Sequence, residues 1–168
     1  MKNKISFLLF ATMFGFTTFS QTYVANVNVV DVINKKLIPG QTVVVTNNII
    51  SAIKPIGKIK IPADAKIIEG VGKYLIPGLT DAHVHFFQSG GLYTRPDGLD
   101  LRKYSSYEKE MDWVHSNMED LLRRYMQMGI TSVIDVGATY SFLKQRDSFV
   151  NKNYSPTIYM TGPLLTSY

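Results

Sequence analysis

From Tyr23 to Glu69, short runs dense in valine and isoleucine follow one another (VANVNVVDV, TVVVT, IISAI and AKIIEG), with polar and turn-forming residues between them. Period-two alternation of β-branched and polar positions predicts strands rather than helices. Asn34-Lys35-Lys36, Pro39-Gly40 and Asn47-Asn48 are the expected turns, because these residues supply preset or positive φ angles. Residues 21–72 therefore read as a small antiparallel β module. Pro55, Gly57, Pro62 and Ala63 mark an irregular connection before its last strand.

After Gly72 the pattern changes to strands alternating with helix-length segments, which predicts parallel βαβ architecture over residues 73–168. Tyr74 to His85 contains a strand, and a loop rich in glycine, proline and polar residues follows from Phe86 to about Ser105. A helix is expected from about Ser106 to Met128. Its apolar positions Val114, Met118, Leu121, Leu122 and Tyr125 fall at offsets 0, 4, 7, 8 and 11, one stripe of a 3.6-residue period. Gly129 is the expected stop. Ile130 to Val136 reads as a second buried strand, Ser141 to Val150 as a shorter helix, and Pro156 to Thr161 as the start of a third strand. Such a run leaves a parallel strand unpaired at its edge. The expectation is a chain truncated at its C-terminus.

Composition adds limits. The 168 residues are 45% hydrophobic and 18% charged, enough apolar material for a core and too little charge for a disordered chain. The formal charge of +5 includes Lys2 and Lys4, and no long basic run or aromatic-interleaved stripe occurs, which argues against a nucleic-acid partner. The absence of cysteine excludes disulfides, thiol nucleophiles and cysteine-type zinc sites. In residues 1–20 two lysines precede an apolar run from Ile5 to Phe19 that ends in small or polar residues around Ser20. This is the layout of a signal peptide cleaved between Ser20 and Gln21. The run is shorter than a membrane span and interrupted by Thr12, Gly15, Thr17 and Thr18. The expected location is periplasmic or extracellular, without a membrane association after cleavage.

The chemistry centres on Asp81-Ala82-His83-Val84-His85. Residues i and i+2 of a strand share a face, so His83 and His85 are expected to project together above Asp81, with Ala82 and Val84 facing the other way. Two neighbouring imidazoles suit one divalent ion, with positions left open for water or substrate. A bare His-x-His pair is also common as two half-buried side chains, and the residues alone leave both readings open.

The stretch Tyr74-Leu75-Ile76-Pro77-Gly78-Leu79-Thr80-Asp81-Ala82-His83-Val84-His85-Phe86 resembles the first barrel strand of the amidohydrolase superfamily, where a Pro-Gly-φ-φ-Asp-x-His-x-His pattern opens the metal site. VNVVDV, TVVVTNNIISAI and KIIEGVGKYLIPGL resemble the way members begin, and Gly129 to Gly137 resembles the second barrel strand. The likeness runs from about Tyr23 to Gly162 and is nearest in flavour to the imidazolonepropionase-like or prolidase-like branch. It implies an α/β fold: a small β-sandwich module followed by the first β/α units of a (β/α)8 barrel. It further implies one or two divalent metals, with zinc expected, at the C-terminal ends of the strands. His83 and His85 would ligate the more buried ion. Metal of this kind lowers the pKa of bound water and polarises a carbonyl, so the implied reaction is hydrolysis of a C–N bond in a small amide, lactam or dipeptide-like molecule.

The family's remaining parts are a bridging carboxylated lysine or glutamate, two further histidines and an aspartate, all from later strands. None of those positions exists in this sequence. The 168 residues alone are thus expected to lack hydrolase activity and to contain no catalytic acid or base. The alternative is a secreted, non-catalytic binding or structural remnant. Several residues carry two readings each. Asp81 either orients a histidine or sits in a structural ion pair. Asp135 either faces the active-site mouth or satisfies backbone groups at the next helix start. Arg95 either clamps a substrate carboxylate or is a solvated loop charge. Phe86 and Phe87 line a pocket or fill core, His115 is expected on a helix surface, and Gly90-Gly91 is plain loop.

Overall fold

The structure, a computed structural model, describes residues 21–88, 91–94, 98–163 and 165. The leader at residues 1–20, Gly90 and Arg95 lie outside the described residues. The chain divides between Pro77 and Gly78 into two compact units.

The first unit is a single sheet. Its strands are β1 (Gln21–Asp31), β2 (Lys36–Thr46), β3 (Ile49–Pro55), β4 (Lys66–Glu69) and β5 (Tyr74–Leu75). The order is β3-β2-β1-β4, with β5 also on β1. The antiparallel expectation holds for β1–β2 and β2–β3, whereas β4 and β5 run parallel to β1. The sheet is therefore mixed. The two short strands fill successive stretches of one edge, Thr22–Ala25 and then Asn28–Val29, so the chain crosses back over the module once, before β4, and β5 continues along the same edge in the same direction.

Asn47 and Asn48, at φ of 51° and 64°, make the tight turn between β2 and β3, as the positive-φ tolerance of asparagine predicts. Pro39-Gly40 is different. It lies inside β2, where Val29 pairs with Ile38 and Val27 with Gln41, so the extra residue forms a bulge, with Gly40 at φ 59°. A second irregularity falls at Asn26, φ 54°, between Val24 and Val27. The positive-φ residues were legible as such; that long-range pairing continues across Pro39-Gly40 was not. Four consecutive residues of β2, Gln41 to Val44, are buried. Because successive side chains point to opposite faces, both faces of the strand are covered there. Ile49 and Ile50 on β3 and Ile67 and Ile68 on β4 stay exposed.

The second unit holds β6 (Leu79–Val84), α1 (Tyr107–Ser116), α2 (Met118–Gln127), β7 (Ile130–Asp135), α3 (Tyr140–Arg146) and β8 (Thr157–Met160). The strands form a parallel sheet in the order β6-β7-β8, the expected βαβαβ arrangement. Short 3-10 segments occupy Phe86–Gln88 and Gly91–Thr94 within the loop after β6. Gly78 enters the sheet so close to β7 that an added Cβ would stand 2.8 Å from the Thr131 Cβ, which gives the Pro-Gly of the sequence pattern a steric reason.

The expected long helix is two. Ser106 caps α1 through its Oγ and the Lys109 N–H, 3.2 Å. Asn117 interrupts it at φ −102°, ψ 10°. Ser116 Oγ donates to the Asp112 carbonyl at 2.7 Å and Asn117 Nδ2 to the Trp113 carbonyl at 2.8 Å. Two adjacent side chains that bond back to carbonyls four residues earlier bend a helix. The apolar stripe nevertheless runs on across the bend: Val114, Met118 and Leu122 are buried together against Val84, Phe86 and Val133. Gly129, φ 78°, closes α2.

His115, expected on a helix surface, is half-buried and partnered. Its Nδ1 donates to Gln145 Oε1 at 2.6 Å, its Nε2 meets Ser141 Oγ at 3.0 Å, and its ring stacks on Phe142 at 4.1 Å. Gln145 Nε2 in turn donates to the His115 carbonyl at 2.9 Å, so the amide oxygen is the atom left to accept and the proton belongs on Nδ1. The histidine ties α1 to α3. His115→Ala removes both side-chain bonds and the stacked contact, and is expected to cost about 1–2 kcal/mol. Urea unfolding of the single variant against wild type measures it, and a loss too small to detect would mean that the contact is ornamental.

Candidate metal centre

Along the β6–β7 ladder Asp81 pairs with Val133 and Val84 with Asp135. Three steps on β6 thus match two on β7, and the surplus residue lies at Ala82–His83. A bulge of this kind bends the strand and re-aims its side chains. Asp81 Oδ1 accepts the His83 N–H at 3.2 Å, giving the amide at the bulge a partner. Asp81 thereby meets the backbone of His83 and not its ring. From His83 onward the alternation expected of a strand still puts the two histidines on one side and Val84 and Phe86 on the other.

Past the bulge Val84 and Phe86 turn into the core, at 6% and 1% exposure. His83 is left exposed and His85 half-buried at the C-terminal end of β6. Their Nε2 atoms stand 3.3 Å apart, with the rings nearly perpendicular at 86°. Two imidazole nitrogens 3.3 Å apart, each ~2.0–2.1 Å from one ion, subtend about 107° at it, close to the tetrahedral angle zinc adopts. The pair fits a divalent ion with the remaining positions open. Among the described residues no group of three or more His, Cys, Asp or Glu side chains is placed to hold a metal, so any further ligand lies outside them.

Asp135 ends β7 and is fully buried. Its Oδ2 accepts the Phe86 N–H and its Oδ1 the Gly137 N–H, each at 3.2 Å. Burial pushes its carboxyl above the ordinary range, against the opposing pull of those two amides and of His85. His85 Nδ1 lies 4.0 Å from Asp135 Oδ1. It is also the one buried side-chain nitrogen or oxygen among the described residues that lacks a hydrogen-bond partner. Of its two sequence readings, the one in which Asp135 satisfies backbone amides describes it, although those amides belong to Phe86 and Gly137 and not to the start of α3; fully buried, it faces no open mouth and lies beside His85.

Phe86 belongs to the core. Phe87 sits edge-on to the His85 ring at 5.6 Å and lines an adjoining cleft with Tyr107, Ala138, Tyr140 and Pro163. Nothing in the sequence marks Tyr107 and Tyr140, since aromatic residues at helix starts carry no periodic signal. His115 stands apart from the pair, in its own contacts with α3.

No model of a protein family matches the chain. In sequence it is 28% identical over 126 residues to the enamidase of Eubacterium barkeri, an alignment that covers 75% of this chain and 27% of the enamidase. In fold it matches molinate hydrolase with a TM-score of 0.67 at 17% identity, covering 88% of this chain and 31% of that one. Phenylurea hydrolase B matches with a TM-score of 0.65 at 19% identity, covering 87% and 31%. A Xaa-Pro dipeptidase with methionine bound in its active site matches with a TM-score of 0.62 at 22% identity, covering 87% and 34%. The chain thus spans about a third or less of the length of each of these proteins.

Proposed function

We propose, from the sequence likeness to enamidase and the shared fold with molinate hydrolase and a Xaa-Pro dipeptidase, that the chain is part of an exported hydrolase of the amidohydrolase superfamily that cleaves C–N bonds, and that His83 and His85 are its metal ligands. The observation that carries this reading is the 3.3 Å approach of the two Nε2 atoms at the C-terminal end of β6. Nitrogen donors at a near-tetrahedral angle favour zinc. When bound, the ion would acidify water and polarise the substrate carbonyl.

The chain's own residues supply the frame. The bulge lies at Ala82–His83, directly before the point where the two rings approach, and the buried Phe86 anchors the turn that follows. The cleft beside Phe87, walled by Tyr107, Tyr140 and Pro163, offers apolar surface to a small substrate, in keeping with an amide, lactam or dipeptide-like molecule. Export is supported by the two lysines and the apolar run ahead of Ser20. Among the described residues no helix is long and apolar enough to cross a membrane.

Titration of the chain with zinc, followed through the histidine ring resonances, tests the ligand assignment. His83 and His85 are expected to shift together while His115 stays in place. His83→Ala is expected to weaken binding at least about tenfold by leaving a one-point site. In the presence of the remaining barrel strands the same substitution should abolish hydrolysis that a chelator stops and zinc restores. Full metal-dependent turnover in the His83→Ala protein would remove the assignment.

A further inference from the structure

His85 faces two ways. Its Nε2 points at His83 Nε2, while its Nδ1 is buried beside the Asp135 carboxylate, 4.0 Å from Oδ1, with no other partner. A neutral imidazole carries one ring proton, and only the nitrogen without it can donate a lone pair to a metal. If the proton sits on Nε2, the convergence of the two histidines is useless for ligation. If it sits on Nδ1, it needs an acceptor where water is excluded. Asp135 is the acceptor in reach, and its place is set by the chain that it serves: Oδ2 is held by the N–H of Phe86, the residue directly after His85, and Oδ1 by that of Gly137. Phe87 also packs against the ring, centroids 5.6 Å apart, and carries no nitrogen or oxygen to take the proton.

We propose that Asp135 is the positioning residue of His85: its carboxylate takes the Nδ1–H, holds the ring, and leaves the Nε2 lone pair aimed at the point that His83 also faces. Asp135 is not itself a ligand, because its oxygens lie on the Nδ1 side and are engaged by backbone amides. The separation of 4.0 Å exceeds a hydrogen bond and closes with a movement of the ring of about 1 Å. The consequence for metal affinity rests on the proposed reading of the histidine pair, whereas the tautomer does not.

Long-range nitrogen–proton spectra of the metal-free chain, recorded about two pH units above the ordinary histidine value of about 6.5, read the tautomer directly. His85 is expected to carry its proton on Nδ1, opposite to the preference of a solvated side chain. In Asp135→Asn, which keeps size and an acceptor oxygen for the backbone, His85 should move toward the Nε2–H form, and zinc affinity should fall about 10–100-fold while the His115 resonances stay where they were. A wild-type His85 protonated on Nε2 overturns the proposal, and so does an Asn variant with unchanged tautomer and affinity. The wild-type spectrum decides even if the variant fails to fold. The Nδ1–H form in a protein whose histidine pair takes up no zinc would uphold the role of Asp135 and overturn the metal-site reading.

Discussion

Phe86→Ala is expected to destabilise the second unit by about 3–5 kcal/mol, the cost of deleting a buried aromatic ring and leaving a cavity that its neighbours only partly fill. Phe86 is 1% exposed and heads the set of fully buried side chains. It packs edge-on to Tyr125 at 6.1 Å and joins Val84, Met118 and Leu122 in one core cluster. Since small domains are stable by only about 5–15 kcal/mol, the loss takes a large share of the total. Hydrogen exchange read residue by residue should place it from Gly78 onward, leaving amides of β1 and β2 protected. Phe86→Leu, which keeps most of the volume, should cost clearly less. The same substitution should disturb the site, because Phe86 follows His85 and gives its N–H to Asp135. A measured loss below about 1 kcal/mol would mean that the cavity collapses, and that the ring is not what anchors the turn after β6.

Gly70→Ala is expected to cost about 2–3 kcal/mol in the first unit by overpacking. An added Cβ would stand 2.7 Å from Val27 Cβ, 2.8 Å from the Ala25 carbonyl oxygen and 3.0 Å from Val27 Cα. These atoms belong to the frame of β1 and cannot rotate aside. The same strand holds Gly70 in place through its N–H to the Ala25 carbonyl, 2.8 Å, so relief requires parting β4 from β1. Gly72 is the control. It has φ of 70° and nothing within 4 Å of an added Cβ, and Gly72→Ala should therefore pay only the left-handed backbone penalty of about 1–2 kcal/mol. Urea midpoints of the two variants separate the effects, and a Gly70→Ala cost no greater than that of Gly72→Ala would show that the approach to β1 is soft.

Features written in local periodicity were legible in the sequence. The Val114–Met118–Leu122 stripe is the buried face of the helices, Asn47-Asn48 makes the turn it should, and the alternation after Gly72 does produce three parallel strands. The order of a β module followed by parallel β/α units is matched by the fold comparison with molinate hydrolase. Local propensity misled where a neighbouring strand overrode it. Pro39-Gly40 has turn chemistry, yet β1 pairs on both sides of it and makes it a bulge. Ser116 and Asn117 look unremarkable in a helix until their side chains bond back and bend it.

By itself the sequence determined which residues are available: two histidines two apart, an aspartate at the end of the next strand, and apolar stripes of the right period to bury what lies between. Only the tertiary structure decided how they meet. The extra residue on β6 exists only relative to β7, and the His85–Asp135 approach joins residues 50 positions apart in the chain. His115 and Gln145, 30 apart, found each other in the same way. Periodicity reports the direction of each side chain from its own backbone, whereas register and burial depend on a partner strand or helix that local sequence does not contain.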